Sequence, residues 1–306
     1  MSRTFTEEIK YQWNNGGMHV KLIGINLVVF ILINSLLAIG SLYATGYSNP
    51  LENIVDYIFT LKGDFTGFLT RPWGLITSIF AHYSFMHLAF NMLFFYYMSV
   101  FFLQYFSNQR MLYTYILGGI AGGILQIIAY ATFPALQGTT VYVVGASGAV
   151  NAIFMATAFY RPMATVHLFG IIKVRMIVLA LIFFFMDIFQ MGDQDNVAHF
   201  AHLGGAIFGF WSIYKVDSKR NIITLAQNFV GNLVDRFKGR SKPKMKHYKG
   251  GASHTSSKGK TDEDYLAEKK KRQAEIDVIL EKISKSGYES LTAREKALLF
   301  DQSRNG

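Results

Sequence analysis

Six apolar stretches decide what this chain of 306 residues can fold into. They run over about Lys21–Ala44, Leu75–Phe102, Leu112–Phe133, Gly145–Arg161, Val174–Met191 and Val197–Tyr214. Runs of about 18 or more residues with few charges read as membrane-spanning helices. A helix satisfies its own backbone hydrogen bonds, which lipid cannot do for it. The composition agrees, with 51% hydrophobic residues and five prolines. There is no cysteine, which excludes disulfides, thiol nucleophiles and cysteine-based metal sites. Residues 1–20 contain no apolar core of a cleaved signal, so the first stretch is expected to act as the insertion signal.

The formal charge of +10 is unevenly placed. From Asp217 onward there are 20 Lys/Arg against 12 Asp/Glu, which leaves +2 for everything before. Six spans put both termini on one side. That side carries Arg3, Lys10, Lys21, Arg110, Arg161, Lys173 and Arg175, whereas the opposite loops carry Lys62 and Arg71. Positive charge marks the cytoplasmic face, so both termini are expected in the cytoplasm of a multi-pass protein of the cell (inner) membrane.

Residues 1–20 form an N-terminal arm in which Phe5, Ile9 and Trp13 share helical spacing, consistent with an interfacial helix or a solvated arm. Residues 21–215 form the six-span domain. Residues 216–249 begin with an amphipathic helix whose apolar face is Ile222, Ile223, Leu225, Ala226, Phe229, Val230, Leu233 and Phe237. From Arg236 to Lys249 there are seven Lys/Arg and no acid, a contact for anionic lipids rather than nucleic acid. A Gly/Ser/Lys linker, 250–261, leads to a small helical appendage, 262–306. A charged helix over Asp262–Ser284 is expected there, with Ile276, Ile279, Leu280 and Ile283 on one face. Thr292-Ala293-Arg294-Glu295 reads as a capping box for a second short helix to Phe300.

Three polar motifs interrupt the apolar stretches. The first is Gly145-Ala146-Ser147-Gly148, at the start of the fourth. A helix N-terminus offers unpaired N–H groups to developing negative charge, which makes half an oxyanion hole. Small residues here also suit simple helix packing. The second motif is Ala201-His202 with Gly205 and Gly209 after it. His202 can serve Ser147 as general base, and the glycines let its helix approach that of Ser147. A structural histidine bonded to a neighbouring helix is the plainer reading. The third motif is His87 and Asn91, at i and i+4 on one helix face. Both can donate to an oxyanion, or clamp two helices together. Stretches two, four and six enter from the same face, so His87, Ser147 and His202 fall at similar depth. His82 is expected to point elsewhere and to be structural, and His199 to be solvent-facing or structural. Asp187 has no spacing that ties it to His202, so a Ser/His dyad is the economical assignment.

On these three motifs, in this order, the chain resembles the rhomboid intramembrane serine proteases over about residues 20–215. The family's Gly-x-Ser-Gly is Gly145 to Gly148, its Ala-His-x-x-Gly-x-x-x-Gly is Ala201 to Gly209, and its His-x-x-x-Asn is His87 to Asn91. The resemblance implies an all-α polytopic membrane protein with a six-helix bundle and a small cytoplasmic helical tail. It implies that Ser147 attacks a peptide bond, that His202 is the base, and that His87, Asn91 and the Ser147 amide hold the oxyanion. Substrates would be single-span membrane proteins cut near the outer boundary, with no cofactor, no metal and no nucleic acid. Two positions depart from the family pattern. Trp73 is followed by Gly74, with Arg71 two residues earlier, which bears on how the first loop is anchored. One turn after the nucleophile stands Asn151 in place of an aromatic, so His202 is expected to be held through a hydrogen bond to Asn151.

Two other classes compete. One is a non-proteolytic protein of the same fold that escorts membrane helices; such relatives lose the Ser or the His, and both are present here. The other is a metal site on His82, His87, His199 and His202. No His-Glu-x-x-His occurs and no acid is expected to lie near these histidines, so that ligand set looks poor.

Overall fold

The computed structural model describes residues 4–44, 49–136, 141–168, 170–191, 197–237, 271, 274–280, 282–283, 287–292 and 294–299. The chain divides into two compact units. One holds Gly16–Gln104 and Asn108–Ser241, and the other Met1–Asn15, Tyr105–Ser107 and the C-terminal part of the chain.

The smaller unit begins with α1 (Phe5–Asn15), where Ile9 and Trp13 are exposed. The larger unit starts with α2 (Met18–Leu42), α3 (Glu52–Phe59), strand β1 (Leu61–Lys62), α4 (Phe65–Thr70) and α5 (Gly74–Thr77). A 3-10 turn over Ser78–Phe80 precedes α6 (Phe85–Tyr105) and α7 (Asn108–Thr132). Strand β2 (Tyr142–Val143) leads into α8 (Ser147–Tyr160). Next come β3 (Thr165–Leu168), β4 (Ile172–Arg175), α9 (Met176–Phe189), α10 (His199–Ile213) and α11 (Ile222–Phe237). The chain is mostly helical. Against the all-α expectation, β1 pairs with β2 and β3 with β4, both antiparallel.

Helices α2, α6 and α7 are long and apolar enough to cross a membrane. Helices α8, α9 and α10 have 14, 14 and 15 residues. At about 1.5 Å per residue each is roughly 21–23 Å long, less than the ~30 Å hydrocarbon core. Helix α8 is short because it is central: every residue from Gly148 to Ala158 is buried. A helix apolar and covered on all sides is a core element. Its first residue therefore lies recessed among its neighbours.

Small residues make this centre close. A Cβ on Gly122 of α7 would lie 2.5 Å from the Ala201 carbonyl of α10. A Cβ on Gly118 would run into Ala152 of α8, one on Gly205 into Gly148, and one on Gly209 into Ala152. The backbones of α7, α8 and α10 thus approach closely at Gly122, Gly148, Gly205 and Gly209, the packing that small residues permit. At the far end of the bundle, buried Arg110 donates to the carbonyls of Ser212 and Val216 and to Asn221 Oδ1, tying α7 to the α10–α11 junction.

Several expected boundaries move, and two of the shifts have a cause in backbone pairing. The second stretch becomes α6 only at Phe85, ten residues beyond Leu75. The Ser78 carbonyl accepts from Ala81 N–H and from Gly145 N–H (2.9 Å), so no regular helix continues through it. The fifth stretch starts at Met176, because Val174 and Arg175 belong to the β3–β4 hairpin.

The loop before α6 is firmly anchored, and the Trp73-Gly74 departure has a physical reason. Trp73 Nε1 donates to the Tyr57 carbonyl (2.9 Å), its ring packs on Tyr57, and the Arg71 guanidinium lies 4.7 Å from the Tyr57 ring centre. A side chain at Gly74 would strike the Thr60 carbonyl (2.6 Å) and Leu61 Cα (3.0 Å). Strand β1 then pairs Leu61 with Val143 and Lys62 with Tyr142, and Gly63 N–H reaches the Val141 carbonyl (2.9 Å). The loop is stapled to the strand that delivers Ser147.

Along α11, Ile223 is buried beside Ala152 and Phe208, while Leu225, Phe229, Leu233 and Phe237 stay exposed. Of the Arg236–Lys249 run, residues 238–249 lie outside the described residues, as do the linker 250–261 and the loop Gly192–Asn196. Within the expected helix Asp262–Ser284, residues 274–280 are helical, with Ile276 and Ile279 buried and Leu280 exposed. The capping box forms: Thr292 N–H donates to Glu295 Oε2 (2.7 Å), and Glu295 N–H to Thr292 Oγ1 (3.3 Å).

Candidate active site

Ser147 is the first residue of α8, half-buried, after Ala146 as N-cap. The first intrahelical bond runs from Val150 N–H to the Ala146 carbonyl (2.9 Å). The N–H groups of Ser147, Gly148 and Ala149 thus have no partner within the helix, at its positive end. The approach to Ser147 is held by backbone bonds to the segment before α6. Gly145 N–H donates to the Ser78 carbonyl (2.9 Å), and Ala146 N–H to His82 Nε2 (3.4 Å). Gly145 has φ of +124°, which L side chains rarely adopt.

His87 lies directly over Gly145. A Cβ there would be 2.8 Å from His87 Cε1 and 3.0 Å from Nε2. The His82 ring packs edge-on against His87, with 5.0 Å between centroids. His82 was expected to point elsewhere; instead it is buried and buttresses both Ala146 and His87. Asn91 donates one amide hydrogen to the His87 carbonyl (2.9 Å), which aligns it along its own helix and leaves a second hydrogen on Nδ2.

On α10, His202 Nδ1 lies 2.9 Å from Asp187 Oδ1, and His199 Nδ1 lies 2.8 Å from the same oxygen. This overturns two expectations. An acid does lie near the histidines, and it orients His202. Asn151 is buried on α8, and among the described residues it makes no hydrogen bond to His202. The reason is geometric: α9 ends beside the start of α10 and presents the carboxylate to Nδ1. His199 is buried rather than solvent-facing, with its ring 6.1 Å from that of His202. With Nδ1–H donating to Asp187, a neutral His202 keeps Nε2 as an acceptor.

The helices of Ser147 and His202 touch through their backbones at Gly148, Ala201 and Gly205. A Cβ on Gly148 would lie 3.0 Å from the Ala201 carbonyl, adjacent to His202. Among the described residues, no hydrogen bond joins Ser147 Oγ to His202. Hydrogen bonds at catalytic sites are often long without substrate and tighten on binding. The structure therefore gathers Ser147, His202 and His87 around the α8 N-terminus, with Gly145, Gly148, Gly205 and Gly209 as the close-approach points. It adds Asp187 and His82, which residue spacing missed. One sequence signal pointed to Asp187: a carboxylate in an apolar helix is expensive unless partnered, so its partner had to be sought in the next element.

Residues 69–218 match the Rhomboid domain family, a stretch that contains His87, Ser147, Asp187 and His202. Residues 260–305 match a family of unknown function (DUF6576). The chain is 34% identical over 147 residues to RHOMBOID-like protein 12, mitochondrial, of Arabidopsis thaliana. That alignment covers 44% of this chain and 44% of the relative, so the match spans less than half of the plant protein. With the Ser147, His202 and His87 motifs inside the matched domain and apolar helices able to span a membrane around them, this chain belongs to the rhomboid family.

Proposed function

We propose that the chain is an intramembrane serine endopeptidase that cuts single-span membrane proteins near the outer membrane boundary. The observation that carries this reading is that His202, paired with Asp187 of α9, stands on a helix packed backbone to backbone against the first turn of the Ser147 helix. His202 Nε2 takes the Ser147 hydroxyl proton as Oγ attacks the scissile carbonyl carbon. The oxyanion meets the free N–H groups of the α8 first turn, the His87 imidazole and the Asn91 amide. The imidazolium, steadied by Asp187, returns its proton to the leaving amine, and water releases the acyl group by the same steps in reverse. Asp187 is a positioning residue, because it acts through His202.

In this reading α2 and α6 to α10 all span the bilayer, with both termini cytoplasmic in the cell (inner) membrane. The exposed apolar side of α11 lies on the inner leaflet, and the basic run after it contacts anionic lipid. The recessed start of α8 keeps lipid off the reacting atoms while loop residues 61–63, tied to residues 141–143, line the approach.

The test is cleavage of a labelled single-span substrate in liposomes by the full chain, Ser147→Ala and His202→Ala. Cutting by the wild type and silence in both folded variants is the expected result. Cleavage that survives Ser147→Ala overturns the assignment. If no substrate is cut, reaction of Ser147 with a serine-directed covalent probe separates an unsuitable substrate from a non-proteolytic family member.

A further inference from the structure

Asp187, His199 and His202 form a cluster that the proposed proteolysis only half uses. Two imidazoles aim Nδ1 at one carboxylate oxygen, at 2.8 and 2.9 Å. All three donor atoms lie within 4.8 Å of one another. The side chains are 5%, 19% and 11% exposed for His199, His202 and Asp187, so the cluster is enclosed yet reachable. Orienting His202 requires one hydrogen bond; nothing in the proteolytic chemistry requires His199. Two imidazole nitrogens and a carboxylate oxygen are a ligand set suited to zinc, which takes three protein ligands at about 2.0–2.2 Å and leaves a fourth position open. Donor atoms in that arrangement stand roughly 3.3 Å apart, so the two nitrogen–oxygen distances of 2.8 and 2.9 Å would open slightly and the imidazole nitrogens, within 4.8 Å of each other, would settle about the ion. The sequence-based objection to a metal site, that no acid lay near the histidines, is removed by Asp187.

We infer that Asp187, His199 and His202 form an inhibitory site for a zinc-like divalent cation. The chemistry makes metal binding and proteolysis exclusive. A metal ion on Nδ1 of a neutral imidazole leaves its one proton on Nε2. His202 Nε2 then carries a hydrogen and cannot accept the Ser147 proton. Both imidazoles stay neutral, since each merely moves its proton from Nδ1 to Nε2. Asp187 is drawn from His202 to the metal at the same time. The inhibitory consequence rests on His202 being the base; the binding site does not.

Binding is therefore measured first in the full chain carrying Ser147→Ala, purified in detergent after chelator treatment, with cobalt(II) as the probe. The expected result is one equivalent of cobalt with visible ligand-field bands, displaced by zinc. His199→Gln and Asp187→Asn, each checked for native helicity, should weaken zinc binding by more than the ~10-fold that loss of even an outer partner costs. His167→Ala, on the exposed β3–β4 hairpin, should leave it unchanged. Zinc should also stop cleavage by the wild type, with a midpoint equal to the binding midpoint and full recovery on chelation. Absence of the one-equivalent spectrum, or a spectrum indifferent to both variants, overturns the site. Specific binding with undiminished cleavage overturns the inhibition. Specific binding by a chain that cuts nothing leaves the metal site standing and sinks the proteolytic reading instead.

Discussion

Asp187 Oδ1 of α9 accepts from His202 Nδ1 of α10 at 2.9 Å. The proposed Ser147/His202 dyad thus gains a carboxylate that orients its base. A carboxylate there fixes the tautomer with Nε2 facing away from the acid, and in the proposed mechanism it would stabilise the imidazolium formed when Ser147 gives up its proton.

Asp187→Asn is expected to lower kcat by about 10²-fold or more, within the range that positioned general bases contribute, with KM little changed. A KM-only effect would show that Asp187 shapes substrate binding instead. Asp187→Glu should recover part of kcat, since it restores the charge at a shifted position.

Gly145→Ala combines two costs. The +124° φ is strained for alanine, and the added methyl enters the His87 ring at 2.8 Å. Strain of this kind costs of order 1–3 kcal/mol, and displacing His87 adds to it. Gly170→Ala is the control, with φ of +75° and nothing within 4 Å of the new methyl. Thermal unfolding in detergent should fall for both, further for Gly145→Ala, and only that variant should lose cleavage.

Gly205→Ala places a methyl in the Gly148 backbone and must push α10 from α8. Overpacking a tight core costs about 1–3 kcal/mol, and here it also separates His202 from Ser147. Gly231→Ala on α11 meets nothing within 4 Å. That exchange should stabilise the helix by about 0.5–1 kcal/mol and leave cleavage unchanged. Equal behaviour of the two variants would show that the α8–α10 contact is looser than described.

The Glu295 carboxylate is held down to about 2, from an ordinary value of 4.5, first by the Thr292 N–H and then by Lys282 and the Thr292 hydroxyl. A depressed folded value stabilises the cap at and above pH 4.5, and that stabilisation is lost as pH falls toward 2. Amide signals of Thr292 and Glu295 should therefore stay constant down to about pH 4 and shift below it. In Glu295→Gln the same signals should not titrate. A midpoint at the ordinary carboxylate value in the native chain would show that the box is not formed.

Much of the molecule was legible in one dimension. The long apolar runs marked α2, α6 and α7, because hydropathy is a property of consecutive residues. Glycines at 205 and 209 announced close helix contacts, because spacing on a helix is spacing on a face. Ser147, His202 and His87 were found by type and context, and the capping box at Thr292 by its four-residue pattern. These features depend on neighbours within a few residues.

What the sequence determined by itself, then, is which segments are buried in lipid or core and which polar residues interrupt them. Tertiary structure alone decided who meets whom. Asp187 lies 15 residues from His202 and on a different helix, so no spacing rule relates them. His82 reaches Ala146 across 64 residues for the same reason. The break at Ser78, the short central α8 and the stapling of β1 to β2 likewise follow from backbone partners distant in the chain. Local pattern sets the cost of burying a group; only packing supplies the partner that offsets it.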